Sequence, residues 1–299
     1  MTLRLFVTGA ESFIGRALIG RCHKSNLELT GVDIAASLGP AIHRADIRDP
    51  AIGDLIPEGA TVIHLAAISR DADCRADPRT AFDVNITGTL NLAVAAQKKG
   101  ARQFIFASSE WVYGDVRNDE LQVEDQPIDI TTMKSEYALT KIVAEQCLRI
   151  NCRLPAITIL RFGIVYGPRS SNWSAVESLF SAVRTQDEVQ VGAVASARRF
   201  IHVQDTVSGI LASCNRTGFE IFNIAGDGPI TLGQVIAISA RMLGRSPEII
   251  ESNPLQPSIR NPVNSKAKTH LRWSPTIDLE AGLTTIADFL ESQRIGTAR

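Results

Sequence analysis

The chain has 299 residues, 44% of them apolar and 21% charged, with a formal net charge of −1. That composition excludes a disordered chain, and the length allows two modest domains or one large one, with a core that needs neither disulfides nor a structural metal. The near-neutral charge provides no bulk basic field for nucleic acid or an anionic membrane. Apolar runs such as Ala93–Ala96 are far too short to span a bilayer. The N-terminus shows no basic lead followed by a long apolar stretch, so a cytoplasmic location without a membrane partner is expected. Cysteines 22, 74, 147, 152 and 214 are odd in number and form no CxxC, which points to reduced thiols. The five histidines show no HxxxH or HExxH spacing, so no metal site is expected.

In chain order, Leu3–Thr8 is predicted as a buried strand, followed by a glycine-containing turn and a helix over Phe13–Lys24. Leu27–Asp33 and Thr61–Ala67 are the next strands. Arg79–Lys98 is predicted as one long helix, with Phe82, Ile86, Leu90, Ala93 and Ala96 on one face. Then follow a strand at Gln103–Ala107, a helix at Ser135–Arg149 and a strand at Ala156–Arg161. This alternation predicts an α/β fold with a doubly wound parallel sheet. Beyond it, residues 166–200 carry one helix near Ser174–Arg184, and residues 229–299 carry three short helix candidates. The segment FEIFNIAG, at 219–226, reads as one more buried strand. The expected division is a dinucleotide-binding domain of residues 1–166 plus 201–228, and a smaller, largely C-terminal substrate domain of 167–200 plus 229–299.

The segment VTGAESFIG places Gly9 and Gly15 around the first strand-to-helix turn, with Ser12 where a middle glycine would be expected. Small residues there let backbone approach a pyrophosphate at a helix N-terminus. Asp33 ends the second strand, 18 residues after Gly15. A carboxylate there accepts hydrogen bonds from ribose hydroxyls and repels a 2′-phosphate, which favours NAD over NADP. Asp46, in ADIRD, is placed either at the adenine amino group or in a turn or cap.

Tyr137 and Lys141 lie four apart on a predicted helix and so share a face. A neighbouring ammonium and an oxidised nicotinamide would both lower the tyrosine pKa, making it a base at a hydroxyl, or as phenol an acid at a ketone. Ser109 follows a predicted strand, 28 residues before Tyr137. It is placed to donate to the same substrate oxygen.

TGAESFIG, Asp33, HLAA (64–67), NITGTLNL from Asn85, SSEWVYG, YALTK and VYGPR (165–169) occur in order. Together they resemble the extended short-chain dehydrogenase/reductase family, in its NAD-dependent epimerase/dehydratase branch acting on nucleotide sugars. RRFIHVQD (198–205) resembles its hinge segment and LRWSPTIDLEAGL (271–283) its C-terminal signature. The resemblance implies a Rossmann domain holding NAD tightly and a small domain gripping a nucleoside diphosphate. It implies Ser109, Tyr137 and Lys141 as the catalytic triad. It places Gly9, Ser12, Phe13, Ile14, Gly15, Asp33, Asp46, Ile47, Leu65, Ala66, Ala67, Tyr137 and Lys141 at the cofactor, and Asn85 on the family's asparagine position. It also implies a homodimer through the 79–98 and 135–149 helices, with Ala93, Ala96, Ala138, Ile142 and Ala144 as apolar surface.

The chain departs from that pattern at Ile164, where the family often has an asparagine at the diphosphate. Arg198 falls on a phosphate-binding position, Arg199 replaces a common aspartate, and Arg260 is a candidate second clamp, since guanidinium forks suit phosphates. Ser109, Glu110, Trp111, Arg198 and Arg260 are therefore the expected substrate contacts. Sugar 4,6-dehydratases carry two adjacent acids after the catalytic hydroxyl; here Trp111 follows Glu110, which ranks dehydration low. The leading expectation is a nucleotide-sugar epimerase, at C4, passing through a transient 4-keto sugar. The alternative is an NAD(P)-dependent ketoreductase or dehydrogenase of a 4-keto-6-deoxy nucleotide sugar or a simpler carbonyl. A silent NAD-sensing scaffold is the third.

Overall fold

The structure is a computed structural model that describes residues 3–35, 41–114, 116, 120–171 and 174–297. The strands are β1 (Arg4–Thr8), β2 (Glu28–Asp33), β3 (Ile42–Arg44), β4 (Thr61–His64), β5 (Gln103–Ser109), β6 (Ala156–Phe162), β7 (Val165–Tyr166), β8 (Glu188–Val191), β9 (Ala197–Arg198), β10 (Ile201–His202), β11 (Gly218–Ile224), β12 (Ile230–Thr231) and β13 (Glu248–Glu251). Seven form one sheet in the order β3-β2-β1-β4-β5-β6-β11, and every neighbouring pair is parallel. The order reverses between β1 and β4, so their C-terminal ends open a crevice, which is where doubly wound sheets bind ligands. The remaining strands pair in twos: β7 with β10, β9 with β12 and β8 with β13.

The helices are α1 (Phe13–Lys24), α2 (Asp71–Ala76), α3 (Pro78–Phe82), α4 (Thr89–Lys98), α5 (Glu136–Asn151), α6 (Ala175–Thr185), α7 (Val203–Ala212), α8 (Leu232–Leu243) and α9 (Leu279–Thr297). Successive side chains of a strand point to opposite faces, so each central strand serves two cores. Phe6, Val62, Phe104 and Ile159 pack with Leu92, Ala93 and Ala96 of α4 and Ala144 and Leu148 of α5. Leu5, Val7, Ile63, Ile105 and Leu160 pack on the other face with Leu18 of α1 and Val207 and Ile210 of α7. A third cluster, separate from the sheet, joins Val176 and Phe180 of α6, Val235 of α8 and Leu283 of α9.

Two expectations need correction. The helix over 79–98 is not uniform: a π-helical turn, Asp83–Gly88, lies between α3 and α4. Asn85 inside that turn is buried and spends its amide on Ile68 and Thr140. The buried stripe therefore runs through Ala81, Asn85, Gly88, Leu92 and Ala96, and leaves Phe82 at the surface. The five residues offered as dimer surface, Ala93, Ala96, Ala138, Ile142 and Ala144, are at most 3% exposed within the single chain. They pack inside the chain; the apolar side chains left exposed on α4 and α5 include Val94 and Ile150. No described helix is long and apolar enough to cross a membrane.

Candidate active site

The turn after β1 is crowded to the limit of backbone contact. Gly9 has φ +70°, and a Cβ there would meet the Ala66 nitrogen at 2.7 Å. A Cβ on Gly15 would meet the Gly9 carbonyl oxygen at 2.1 Å. Ser12 is not a deficient glycine but the N-cap of α1, its Oγ accepting from the Gly15 N–H at 3.1 Å. A helix N-terminus with close backbone approach, facing the crevice, is an anion cradle. Asp33 closes its far side: its carboxylate accepts from the Glu11 N–H and the Ala35 N–H, both at 2.9 Å. Each oxygen keeps a lone pair for a ribose hydroxyl. Leu65, Ala66 and Ala67 continue β4 into the crevice, partly exposed. This geometry fits a dinucleotide.

Three expected cofactor residues have their side chains occupied elsewhere. The Phe13 ring stacks under Arg169, guanidinium carbon to ring centre 4.1 Å. Asp46 is ion-paired with Arg48 at 2.6 Å and accepts its N–H, which is the turn alternative, and that pairing lowers its pKa. Ile47 is buried against Gly88, where a Cβ would meet its Cδ1 at 2.8 Å.

A buried polar chain runs behind the crevice. The Ala66 N–H donates to Thr8 Oγ1 at 3.3 Å, and Thr8 Oγ1 lies 2.7 Å from His64 Nδ1. His64 Nε2 lies 2.9 Å from Thr89 Oγ1, which donates its proton to the Asn85 carbonyl at 2.7 Å. Because Thr89 gives its proton away, His64 Nε2 must donate and Nδ1 must accept. Burial, with Lys141 nearby, pushes the His64 pKa down to about 3, so the ring is neutral. Asn85 extends the chain to Thr140 of α5 and to the Ile68 backbone.

The catalytic candidates meet at the ends of β5 and α5. Ser109 ends β5 and caps the short turn Glu110–Tyr113. Ser135 caps α5, its Oγ accepting from the Ala138 N–H and donating to Asp71 Oδ1 at 2.6 Å. The same Asp71 oxygen accepts from the Tyr137 N–H at 3.3 Å. Lys141 sits one turn on, buried, its Nζ 5.8 Å from the Tyr137 ring centre and 4.7 Å from that of Phe106. Tyr137 faces Ser109, whose side chain favours its phenolate form. Within the chain itself, burial works against the lowering of the Tyr137 pKa expected from the Lys141 ammonium and a nicotinamide. Burial dominates and raises it, outweighing the opposing effect of the Ser109 side chain, while burial also lowers Lys141 to about 8. Desolvation penalises the charged form of each.

The expected substrate residues also converge. Arg198 Nε lies 3.9 Å from Glu110, and the Arg260 guanidinium lies over Trp111 at 5.4 Å. Arg198 is otherwise committed to the Ala197 and Ser258 carbonyls and to Ser258 Oγ. Arg199 is a buried strut rather than added surface charge, donating to Asn261 Oδ1 and the Gly226 and Asp227 carbonyls. Ile164 packs against the third core cluster.

Two supports were not foreseen. Asp71 lies in an acidic stretch, and nothing in its sequence neighbourhood links it to Ser135. Arg161 and Glu145 form a buried bidentate pair, 2.7 and 3.1 Å, that also holds Ser108 next to Ser109. The available signal was a lone arginine in a largely apolar strand.

The family model for the NAD dependent epimerase/dehydratase family matches residues 5–225. A UDP-glucuronate 4-epimerase of Thermodesulfobacterium geofontis is 29% identical over 75% of this chain and 70% of its own. A GDP-6-deoxy-D-mannose reductase of Pseudomonas aeruginosa is 28% identical over 98% of this chain and 99% of its own. The structure of UDP-glucose 4-epimerase from Thermus thermophilus, complexed with NAD, superimposes with a TM-score of 0.83 at 26% identity, covering 97% of this chain and 99% of that one. The cradle, the Ser109–Tyr137–Lys141 cluster and the match over most of the sequence converge: the chain belongs to the NAD-dependent epimerase/dehydratase family of enzymes, with NAD as cofactor.

Proposed function

We propose that the chain is a nucleotide-sugar 4-epimerase. The observation that carries this reading is the meeting of Ser109 at the end of β5 with Tyr137 and buried Lys141 of α5, beside the crevice that fits the dinucleotide. Asp33 and the α1 N-terminus would hold the ribose and pyrophosphate of NAD, which when bound would supply hydride acceptance and return. Ser109 donates a hydrogen bond to the sugar oxygen at the reacting carbon. Tyr137 takes the proton from that oxygen and later returns it. Lys141, its pKa near 8, keeps its ammonium at pH 7 and favours the phenolate during the transfer. Inversion at C4 requires only that the pocket let the sugar present its other face. Residues 1–166 with 201–228 form the cofactor half, and 167–200 with 229–299 the substrate half.

The likeness to a reductase along nearly the whole chain favours a second reading, a 4-keto nucleotide-sugar reductase. There Tyr137 gives its proton to the ketone, a role suited to a tyrosine whose pKa is raised. Product mass spectrometry on UDP-, GDP- and dTDP-sugars separates the two. A stereoisomer of unchanged mass, formed without added reductant and lost in Tyr137→Phe, establishes the epimerase. Conversion of a keto sugar only when reduced cofactor is added refutes it and establishes the reductase.

A further inference from the structure

We propose that the cleft between the C-terminal ends of α6 and α9 binds a small phosphate ester carrying hydroxyl groups, at a site separate from the crevice. The cleft holds about 560 Å³ and is lined, among the described residues, by Arg184 and Thr185 of α6 and Leu290, Gln293 and Arg294 of α9. That volume lies within the range of small-molecule sites. Arg184 Nε is buried, yet it has no hydrogen-bond partner among the described residues. None of the residues assigned to the cofactor or the sugar lines the cleft. The 11 residues of α6 set it about 16 Å from the other end of that helix, where Glu177 accepts from the Gly167 N–H and from Arg169.

Basic residues in a last helical turn commonly answer the partial negative charge of the terminal carbonyls. Arg245 does this at the end of α6: its Nη2 donates to the Gln186 carbonyl at 3.0 Å and to Asp187 Oδ1 at 2.8 Å. Arg184 Nε does not, and an orphaned buried donor points to a missing acceptor. No carboxylate lines the cleft among the described residues to supply one. A phosphate does supply it, because guanidinium N–H groups match its oxygens, and Arg294 brings a second positive charge from α9. Thr185 Oγ1 gives its proton to the Ser181 carbonyl at 2.9 Å, which leaves that oxygen to accept from a ligand hydroxyl. Gln293 adds an amide for further hydroxyls, and Leu290 an apolar wall for a ring. A sugar phosphate carries all of these features.

The test is calorimetric titration of the NAD-loaded enzyme, in excess UDP, with glucose 6-phosphate, inorganic phosphate and glucose. Glucose 6-phosphate is expected to bind once per chain, more tightly than inorganic phosphate, with glucose not binding and affinity falling as salt rises. Arg184→Gln and Arg294→Gln should each weaken it at least about tenfold, the scale of a hydrogen bond to a charged group. Without ligand, Arg184→Gln should keep the wild-type melting temperature, since Nε has no bond to lose among the described residues. Failure of glucose 6-phosphate to bind overturns the proposal, as does binding that neither variant weakens, which puts the ligand elsewhere. Equal affinity for inorganic phosphate overturns the hydroxyl-bearing ligand. A lower melting temperature in Arg184→Gln overturns the reading of Arg184 as a ligand contact and makes it a strut of the fold.

Discussion

Replacing Arg161 by Met isolates the support beneath Ser109. Arg161 and Glu145 are 2% and 1% exposed, and their guanidinium and carboxylate are joined by two hydrogen bonds. Arg161 also donates to the Glu124 carbonyl at 3.2 Å and stacks on Tyr113 at 4.9 Å. Met keeps much of the volume but leaves the Glu145 carboxylate buried with only Ser108 as a hydrogen-bonding side chain among the described residues. Breaking a buried pair by removing one partner costs ~3–5 kcal/mol. At roughly 2 °C per kcal/mol for a chain of this size, the melting temperature should fall by about 6–10 °C. Removing both charges, as Arg161→Met with Glu145→Leu, should recover most of that loss, because an apolar pair has no charge to desolvate. Scanning calorimetry of the ligand-free chains measures both. A single variant within ~1 kcal/mol of wild type, or a double variant destabilised by the sum of the two singles, would refute the account of this pair as a mutually dependent buried unit.

Three further outcomes follow from the same geometry. His64 has a folded pKa of about 3 against roughly 6.5 unfolded, so the unfolded chain takes up the proton first. Its contribution is complete above pH 6.5 and declines toward pH 3; ~2 kcal/mol should be lost at pH 5, with the slope reduced in His64→Gln on denaturant unfolding at both pH values. Gly9→Ala combines φ +70° with a Cβ 2.7 Å from the Ala66 nitrogen, so NAD affinity by fluorescence titration should drop at least about tenfold. Asp71→Ala removes the anchor of the Ser135 hydroxyl and Tyr137 N–H; it should cost ~1 kcal/mol and lower kcat more than it raises KM, whereas a KM effect alone would contradict a positioning role.

The parallel sheet was legible because its strands are buried on both faces and stand out as near-continuous apolar runs, as in RLFVT and AITILR. The position of the candidate catalytic cluster was legible for a related reason. Ser109 ends such a run, and Tyr137 and Lys141 share a helix face. The π-turn was not legible, because it is set by bonds from Asn85 to Ile68 and Thr140, 17 and 55 residues away in sequence. The short strand β3 was equally hidden, three residues with an IHR sequence and only one neighbour in the sheet. The weight of burial on the tyrosine pKa was not legible, because spacing shows which charges are near but not how much water is excluded. The arginines divided on the same ground: Arg199 and Arg260 read alike in sequence, but only the packing shows one bound to backbone carbonyls and the other left with an unpaired nitrogen among the described residues.

The position of β11 at the outer edge of the sheet has a consequence for synthesis. All seven residues of β6 are buried in the finished protein, and β11 covers that strand along its whole length, Ala156 beside Gly218 to Phe162 beside Ile224. The covering strand ends 62 residues after β6 does, counting from Phe162 to Ile224. At about 5–20 residues per second, a ribosome leaves that edge without its partner for roughly 3–12 s. For that interval the nascent chain presents an unpaired, largely apolar strand, the form of backbone most prone to pair with another copy. Slow codons or a ribosome pause within 163–217 would lengthen the exposure, and chaperone demand in a producing cell should track that interval rather than the stability of the completed fold.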